Sequence, residues 1–340
     1  MSTPPIPVIF EPIFKSKPWG GRRLAALFDK PLPPGEAIGE SWELVHLPGN
    51  QSLVRNGPLA GQALGKLVDR WGTGLLGQAE AAEGRFPLLI KFLDAQQHLS
   101  VQVHPKPRDD DPNRRQPGIK HEAWYVLHAD PGAALFIGQN PGVTPDDLAH
   151  AANTPQLADL LRRRPVQPGQ CFYLPSGIIH ALGAGIVVAE IQTPSDVTYR
   201  LYDWDRTDAD GKPRQLHLPQ ALQNVRWDIP EQLVTPAPVQ MTCEFATGTT
   251  MVSCERFQID YLRLDGELER GISHREMSTW IVLAGCGVLV RGRFRCEFAP
   301  GDVVLIPAEN SGTRVETRGP CELLQVTVPN PDRVREVRPG

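Results

Sequence analysis

Short apolar runs, alternating or continuous, dominate the chain and are broken by glycine and proline turns. Residues 99–104 alternate strictly. Leu99, Val101 and Val103 share one face, and Ser100, Gln102 and His104 share the other, as on a half-buried strand. The run Pro87-Leu88-Leu89-Ile90-Lys91-Phe92-Leu93 is almost wholly apolar. Residues 123–129, 133–137, 170–174 and 186–192 continue the pattern. Short strands at this spacing predict a mainly β protein of the sandwich or barrel kind.

Helical periodicity is confined to a few stretches. Leu64, Leu67, Val68 and Trp71 predict a helix within residues 61–77. Within residues 144–164, Thr144-Pro145-Asp146-Asp147 has a capping hydroxyl, a proline at the first helical position and acids at the positive end of the dipole. A second start at Thr154-Pro155 puts Leu157, Leu160 and Leu161 on one face, with Arg162, Arg163 and Arg164 at the C-terminal end.

There is also a weak internal repeat. Residues 123–127 can be laid over 279–283, and 168–175 over 300–307. In this register Glu122 faces Ser278 and His180 faces Gly312. The expectation is two related β units, residues 1–228 and 240–340, joined by a proline-rich connector at 229–239.

Composition narrows the partners. A chain of 340 residues with a net charge of -4 has no basic excess, so nucleic acid is not expected. The N-terminus lacks the basic segment and apolar core of a signal peptide, and no apolar run approaches the roughly 18–20 residues that span a bilayer. The six cysteines form no C-x-x-C pair, and buried free thiols in a reducing cytosol are expected. A cytoplasmic protein without membrane partners follows; monomer and homodimer stay open. Gly183-Ala184-Gly185 lacks the third glycine of a dinucleotide loop, and Trp124 and Trp280 read as core residues.

Gln102 and His104 project from one strand face, Glu122 lies ahead of the next strand, and His180 follows a Pro-Ser-Gly turn. Two imidazoles, a carboxylate and an amide oxygen suit a borderline cation such as zinc, one per chain. The arrangement resembles the metal-binding pattern of the cupin superfamily. His98, His121, His128 and His150 fit it less well and are read as non-ligands.

The stretches 86–105, 120–127 and 174–206 resemble the type I mannose-6-phosphate isomerases of the compact bacterial sort. So do Pro18-Trp19-Gly20-Gly21, residues 38–43 and Gly211-Lys212-Pro213-Arg214. The resemblance implies two cupin-type β-barrel (jelly-roll) units with a few added α-helices, the first catalytic and the second degenerate and without ligands. It implies zinc-dependent interconversion of mannose 6-phosphate and fructose 6-phosphate, with metal ligands at Gln102, His104, Glu122 and His180.

Aldose–ketose isomerisation moves a proton between C1 and C2 through an enediolate, so it needs a general acid/base and charge stabilisation. Arg200 can bind the oxyanion or the phosphate, or form a surface pair with Asp196 or Asp203. Glu190, in an apolar strand, is either the base with a raised pKa or a structural carboxylate paired with Arg200. Lys120 can face the same cavity as Glu122, while Lys91 and Ser100 are candidates for the substrate phosphate or ordinary polar positions. Two other readings compete. A metal oxygenase would gather more imidazoles, and a non-catalytic sugar-phosphate sensor would not need the full set.

Overall fold

The computed structural model describes residues 3–107, 118–207, 211–230, 234–235, 238–243, 246–264, 269–271 and 276–329. Part of the expected connector at 229–239 lies outside these residues. The chain is mainly β, as its periodicity predicts.

Four antiparallel sheets form two facing pairs. In the first pair, a six-stranded sheet runs Cys171–Leu174, Glu122–Ala129, Ile186–Gln192, Leu89–Ala95, Ile38–Leu44, Ile13–Gly21. Its partner runs Leu161–Pro165, Ala134–Gln139, His180–Ala181, Val101–Val103, Tyr199–Tyr202. The second pair is a seven-stranded sheet centred on Ser278–Ala284 and Cys321–Thr327, and a four-stranded sheet centred on Thr313–Thr317 and Gly287–Arg291. The N-terminal strand Val8–Ile9 pairs with Val303–Ile306 and so belongs to the seven-stranded sheet.

Strand alternation decides what each face does. On Glu122–Ala129, Trp124 and Val126 point between the first two sheets, where they meet Leu93, Leu135, Ile137 and Val188. Ala123 and Tyr125 point the other way, into a seam with Phe257, Ile259, Leu324 and Val326 of the seven-stranded sheet. Val101 and Val103 likewise turn outward, under a cover that includes Leu148, Leu157, Ala221 and Val225. Gln102 between them therefore turns inward.

The repeat is visible in the pairing. Leu174 is opposite Glu122, and Ile306 is opposite Ser278. The turns match as well. Gly169 N–H donates to Val126 O and Gly301 N–H to Val282 O, both glycines with positive φ. Inside the second pair, Trp280, Val282, Leu289, Phe298, Val304 and Leu323 form an apolar core, and Gln325 stands opposite Trp280 where Glu190 stands opposite Trp124.

Two helix expectations are corrected. Residues 61–77 hold two short helices, Leu64–Trp71 and Thr73–Leu76, because Gly72 takes a positive φ of 48° between them. Residues 144–164 hold Pro145–Ala151, whose expected Thr144 cap is part of a capping box with Asp147, and only one turn at Gln156–Asp159. Leu161–Pro165, with its arginine run, is an edge strand on Ala134–Gln139. Its alternating burial and the bond from Arg162 Nε to Gln139 O replace the expected helix end. Of the cysteines with described side chains, all free thiols, Cys171, Cys296 and Cys321 are buried, Cys254 is half-buried, and Cys286, between two strands, is exposed.

Candidate functional site

At one end of the first sheet pair the inward-facing positions turn from apolar to charged. Lys91 is opposite Glu190, and Glu190 is opposite Trp124. Glu122 is opposite Gln192 on the same sheet. From the facing sheet, Gln102 is opposite His180 on one side and Arg200 on the other. Backbone register alone thus brings together residues spread over more than a hundred positions.

His104, Glu122 and His180 form one group, with a ligand atom from each lying within 4.8 Å of the others. His104 Nε2 is 3.4 Å and His180 Nε2 3.1 Å from Glu122 Oε1. Each imidazole is oriented from behind. His104 Nδ1 lies 2.9 Å from Val197 O, and His180 Nδ1 lies 2.8 Å from Ile178 O. A carbonyl only accepts, so each Nδ1 carries a proton, and in the neutral ring Nε2 turns a lone pair inward. Burial, with the Lys120 charge, lowers the His104 pKa to about 4, so this ring is neutral at pH 7.

Gln102 completes the ring of side chains. Its amide nitrogen is 3.3 Å from His180 Nε2, and its oxygen accepts from Ser100 Oγ at 3.2 Å. The two ends of an amide are assigned from the surrounding bonds, and turning it over would present the oxygen to the imidazoles.

A divalent metal fits these residues. His104 Nε2 and Glu122 Oε1 are buried polar atoms without a hydrogen-bond partner. Such atoms are costly to bury unless something accepts their lone pairs. Among the described residues this is the only group of at least three histidine, cysteine or acidic side chains so placed. His98 instead stacks on Trp204, His121 contacts Tyr173 Oη, His128 contacts Asp130 and His150 contacts Asp146 O.

Beside the group lies a buried set of charges. Lys120 Nζ is 2.6 Å from Glu122 Oε2 and 3.5 Å from Glu190 Oε1. Lys91 Nζ is 3.4 Å from Glu190 Oε1 and 3.7 Å from Asp196 Oδ1. Two ammonium groups and two carboxylates cancel, which makes the burial of four charges tolerable. For Lys120 burial works against the charge, but Glu122 and Glu190 outweigh it and hold its pKa above the ordinary lysine range. Glu190, expected to pair with Arg200 if structural, pairs with the two lysines instead.

Arg200 is half-buried, and neither expected surface pair forms. Its Nη1 donates to Gln215 O at 2.9 Å. Asp203 is taken by Arg206 at 2.6 Å and by Arg214, and Asp196 lies beside Lys91. Burial, with the neighbouring Arg214, lowers the Arg200 pKa.

Three contributors escape sequence reasoning. Trp124, read as core, is buried but donates its Nε1–H to Glu190 Oε2 at 2.9 Å and meets His180 edge-on at 5.3 Å. Trp42 lies under Lys91 Nζ, 4.7 Å from the ring centre. Val197 acts through its carbonyl. Glutamate at an inward position of the strand opposite Trp124 is the only signal for the first; the other two depend on tertiary pairing. A separate cleft of about 630 Å³, beside Phe28, Tyr125, Met251 and Tyr261, lies on the opposite face of the Glu122–Ala129 strand. It contains none of this chemistry.

Residues 9–127 match the family model described as phosphomannose isomerase type I, catalytic domain. The match includes Gln102, His104 and Glu122 and stops short of His180 and Arg200. Over 321 residues the chain is 36% identical to mannose-6-phosphate isomerase ManA of Bacillus subtilis, covering 93% of this chain and 97% of that protein. It is 32% identical to the mannose-6-phosphate isomerase of Streptococcus mutans, over 88% of this chain and 92% of that one. The crystal structure of the mannose 6-phosphate isomerase from Bacillus subtilis superposes with a TM-score of 0.82 at 31% identity, covering 94% and 99% of the two chains. With a register-built His–Glu–His group, a charged pocket beside it and full-length likeness to these isomerases, the chain belongs to the type I phosphomannose isomerase family.

Proposed function

We propose that this chain interconverts mannose 6-phosphate and fructose 6-phosphate, using a zinc ion held by Gln102, His104, Glu122 and His180. The observation that carries this reading is the juxtaposition of two unlike features. A buried His–Glu–His group with unpartnered atoms adjoins a charge-balanced Lys91–Glu190–Lys120 set at 3.4 and 3.5 Å. A metal-binding group alone would suit many chemistries; the ammonium groups beside it suit a phosphorylated, anion-forming substrate.

The bound metal would act as a Lewis acid toward the sugar oxygens. The remaining work falls to side chains. Lys120, held protonated, donates to the oxygen on which enediolate charge develops. Arg200, on the strand beside Gln102, supplies a second cation to the oxyanion or the phosphate. Glu190, aimed by Trp124 Nε1 and flanked by both lysines, is the acceptor for the proton that leaves C2. Lys91 and Ser100 serve the phosphate end. Residues 1–228, apart from the strand Val8–Ile9 that joins the seven-stranded sheet, would form the catalytic unit, and 240–340 a supporting unit with a largely apolar interior. The free thiols suit a cytosolic setting, and no helix among the described residues is long and apolar enough to cross a membrane.

A coupled assay with mannose 6-phosphate tests the proposal. Turnover lost on chelation and restored by zinc is expected. Turnover at full rate in metal-free protein defeats the metal assignment, and no turnover in zinc-loaded protein defeats the isomerase assignment.

A further inference from the structure

One loop, exposed at Asp196 and Val197, fastens two parts of the metal group at once. Residues 193–197 follow the Ile186–Gln192 strand and return toward Tyr199–Tyr202. Val197 at the end of the loop is 39% exposed and contributes little apolar burial, yet its carbonyl is the atom that orients His104 at 2.9 Å.

The buried Gln192 and Ser195 and the half-buried Thr193 hold that carbonyl in place. Gln192, with no exposed surface, donates from Nε2 to Thr193 O at 2.9 Å and to Ser195 O at 2.6 Å. Ser195 Oγ donates to Gly118 O at 2.8 Å and accepts from Val197 N–H at 3.3 Å. Thr193 Oγ1 donates to Ile119 O at 3.0 Å and accepts from His121 N–H at 3.1 Å, while Thr193 N–H donates to His121 O at 3.0 Å. Each hydroxyl both donates and accepts. Each ties the loop to residues 118–121, the segment that carries Lys120 and leads directly into Glu122.

We propose that Thr193 and Ser195 are positioning residues, which through the 193–197 loop set the orientation of His104 and the placement of the Lys120–Glu122 segment and thereby the affinity for the metal. The proposal rests on the metal-group reading given above and assigns these side chains no contact with substrate. Its physical basis is that an imidazole ligand is only as well aimed as the acceptor behind it. Partners of this kind carry about 10- to 100-fold in metal affinity. The hydroxyls join loop to segment without adding to an apolar core, so replacing them changes aim more than packing.

Zinc affinity, measured by competition with a chelator, is the test, with the metal-free melting temperature and the kcat and KM for mannose 6-phosphate taken in parallel. Thr193→Val keeps the side-chain volume and removes both hydroxyl bonds, Ser195→Ala removes its pair, and Thr193→Ser keeps both. The first two variants are expected to weaken zinc binding about 10- to 100-fold, with kcat falling more than KM rises. Thr193→Ser should restore the parental zinc affinity. Parental zinc affinity in Thr193→Val and Ser195→Ala overturns the proposal, even if the metal-free protein melts earlier. So does a Thr193→Ser protein as weak as Thr193→Val. Should Thr193→Val not fold, Ser195→Ala carries the same measurement. A parent that binds zinc but leaves mannose 6-phosphate unchanged defeats the isomerase reading, and the zinc comparison still judges the loop.

Discussion

Arg200 and Glu40 show how differently two charged residues near one pocket are used. Arg200 holds one backbone carbonyl, that of Gln215, and lies on the strand beside Gln102 without belonging to the His–Glu–His group. Arg200→Ala should therefore leave zinc content unaltered and lower kcat/KM by about 10²-fold, the size of a lost oxyanion donor. Zinc analysis beside steady-state kinetics checks both halves, and an unchanged kcat/KM would return Arg200 to a structural role. Glu40 works on stability instead. Burial pushes its carboxyl up, but Lys91, Lys17 and the Trp42 indole together bring it from 4.5 down to about 2. A depressed carboxylate stabilises the fold above its unfolded pKa, and that contribution fades as pH falls from about 4.5 toward 2. The shift corresponds to about 3 kcal/mol. Melting curves of parent and Glu40→Gln should differ most near neutral pH and converge as pH falls from about 4.5 toward 2. A gap that stays constant with pH would contradict the assignment.

Elements explain where sequence reading succeeds and where it stops. The period-two alternation places Gln102 and His104 on one face because Val101 and Val103 are buried under helices on the other, whereas Leu99, expected to share their face, joins the core of Leu93 and Trp124 between the sheets. The capping box at Thr144 is equally legible, since all its partners lie within three residues. Arg162, Arg163 and Arg164 mislead because a basic run after leucines also suits an edge strand, and the Ala134–Gln139 pairing that decides between the two is distant in sequence. The metal group is legible residue by residue, but what aims it is not. Val197 O, Trp124 Nε1 and the Thr193 and Ser195 hydroxyls become meaningful only through tertiary contacts. Gly183 is a similar case. It needs no nucleotide to explain it, because a Cβ there would stand 1.8 Å from Ala134 O, where the loop crosses the neighbouring strand. Gly183→Ala should destabilise by about 1–3 kcal/mol or more. Denaturant unfolding reads this directly, and a change near zero would mean that the crossing is looser than described.

At the scale of the whole molecule, one architecture is used twice, and among the described residues only the first interior holds a His–Glu–His group. The first sheet pair combines an apolar half around Leu93, Trp124 and Val188 with a charged end. The second keeps the matching turns at Gly169 and Gly301 but packs Trp280, Phe298 and Leu323 inside. The seven-stranded sheet of the second covers the outer face of the strand that begins with Glu122, burying Ala123 and Tyr125. That cover fixes the strand from behind and leaves its inner face for chemistry. The most direct measurement on this account is X-ray absorption at the zinc edge of the zinc-loaded protein. Two imidazole nitrogens at about 2.0–2.1 Å, with oxygen completing the shell and no sulfur, are predicted. A sulfur-containing shell, or one without imidazole, would contradict it.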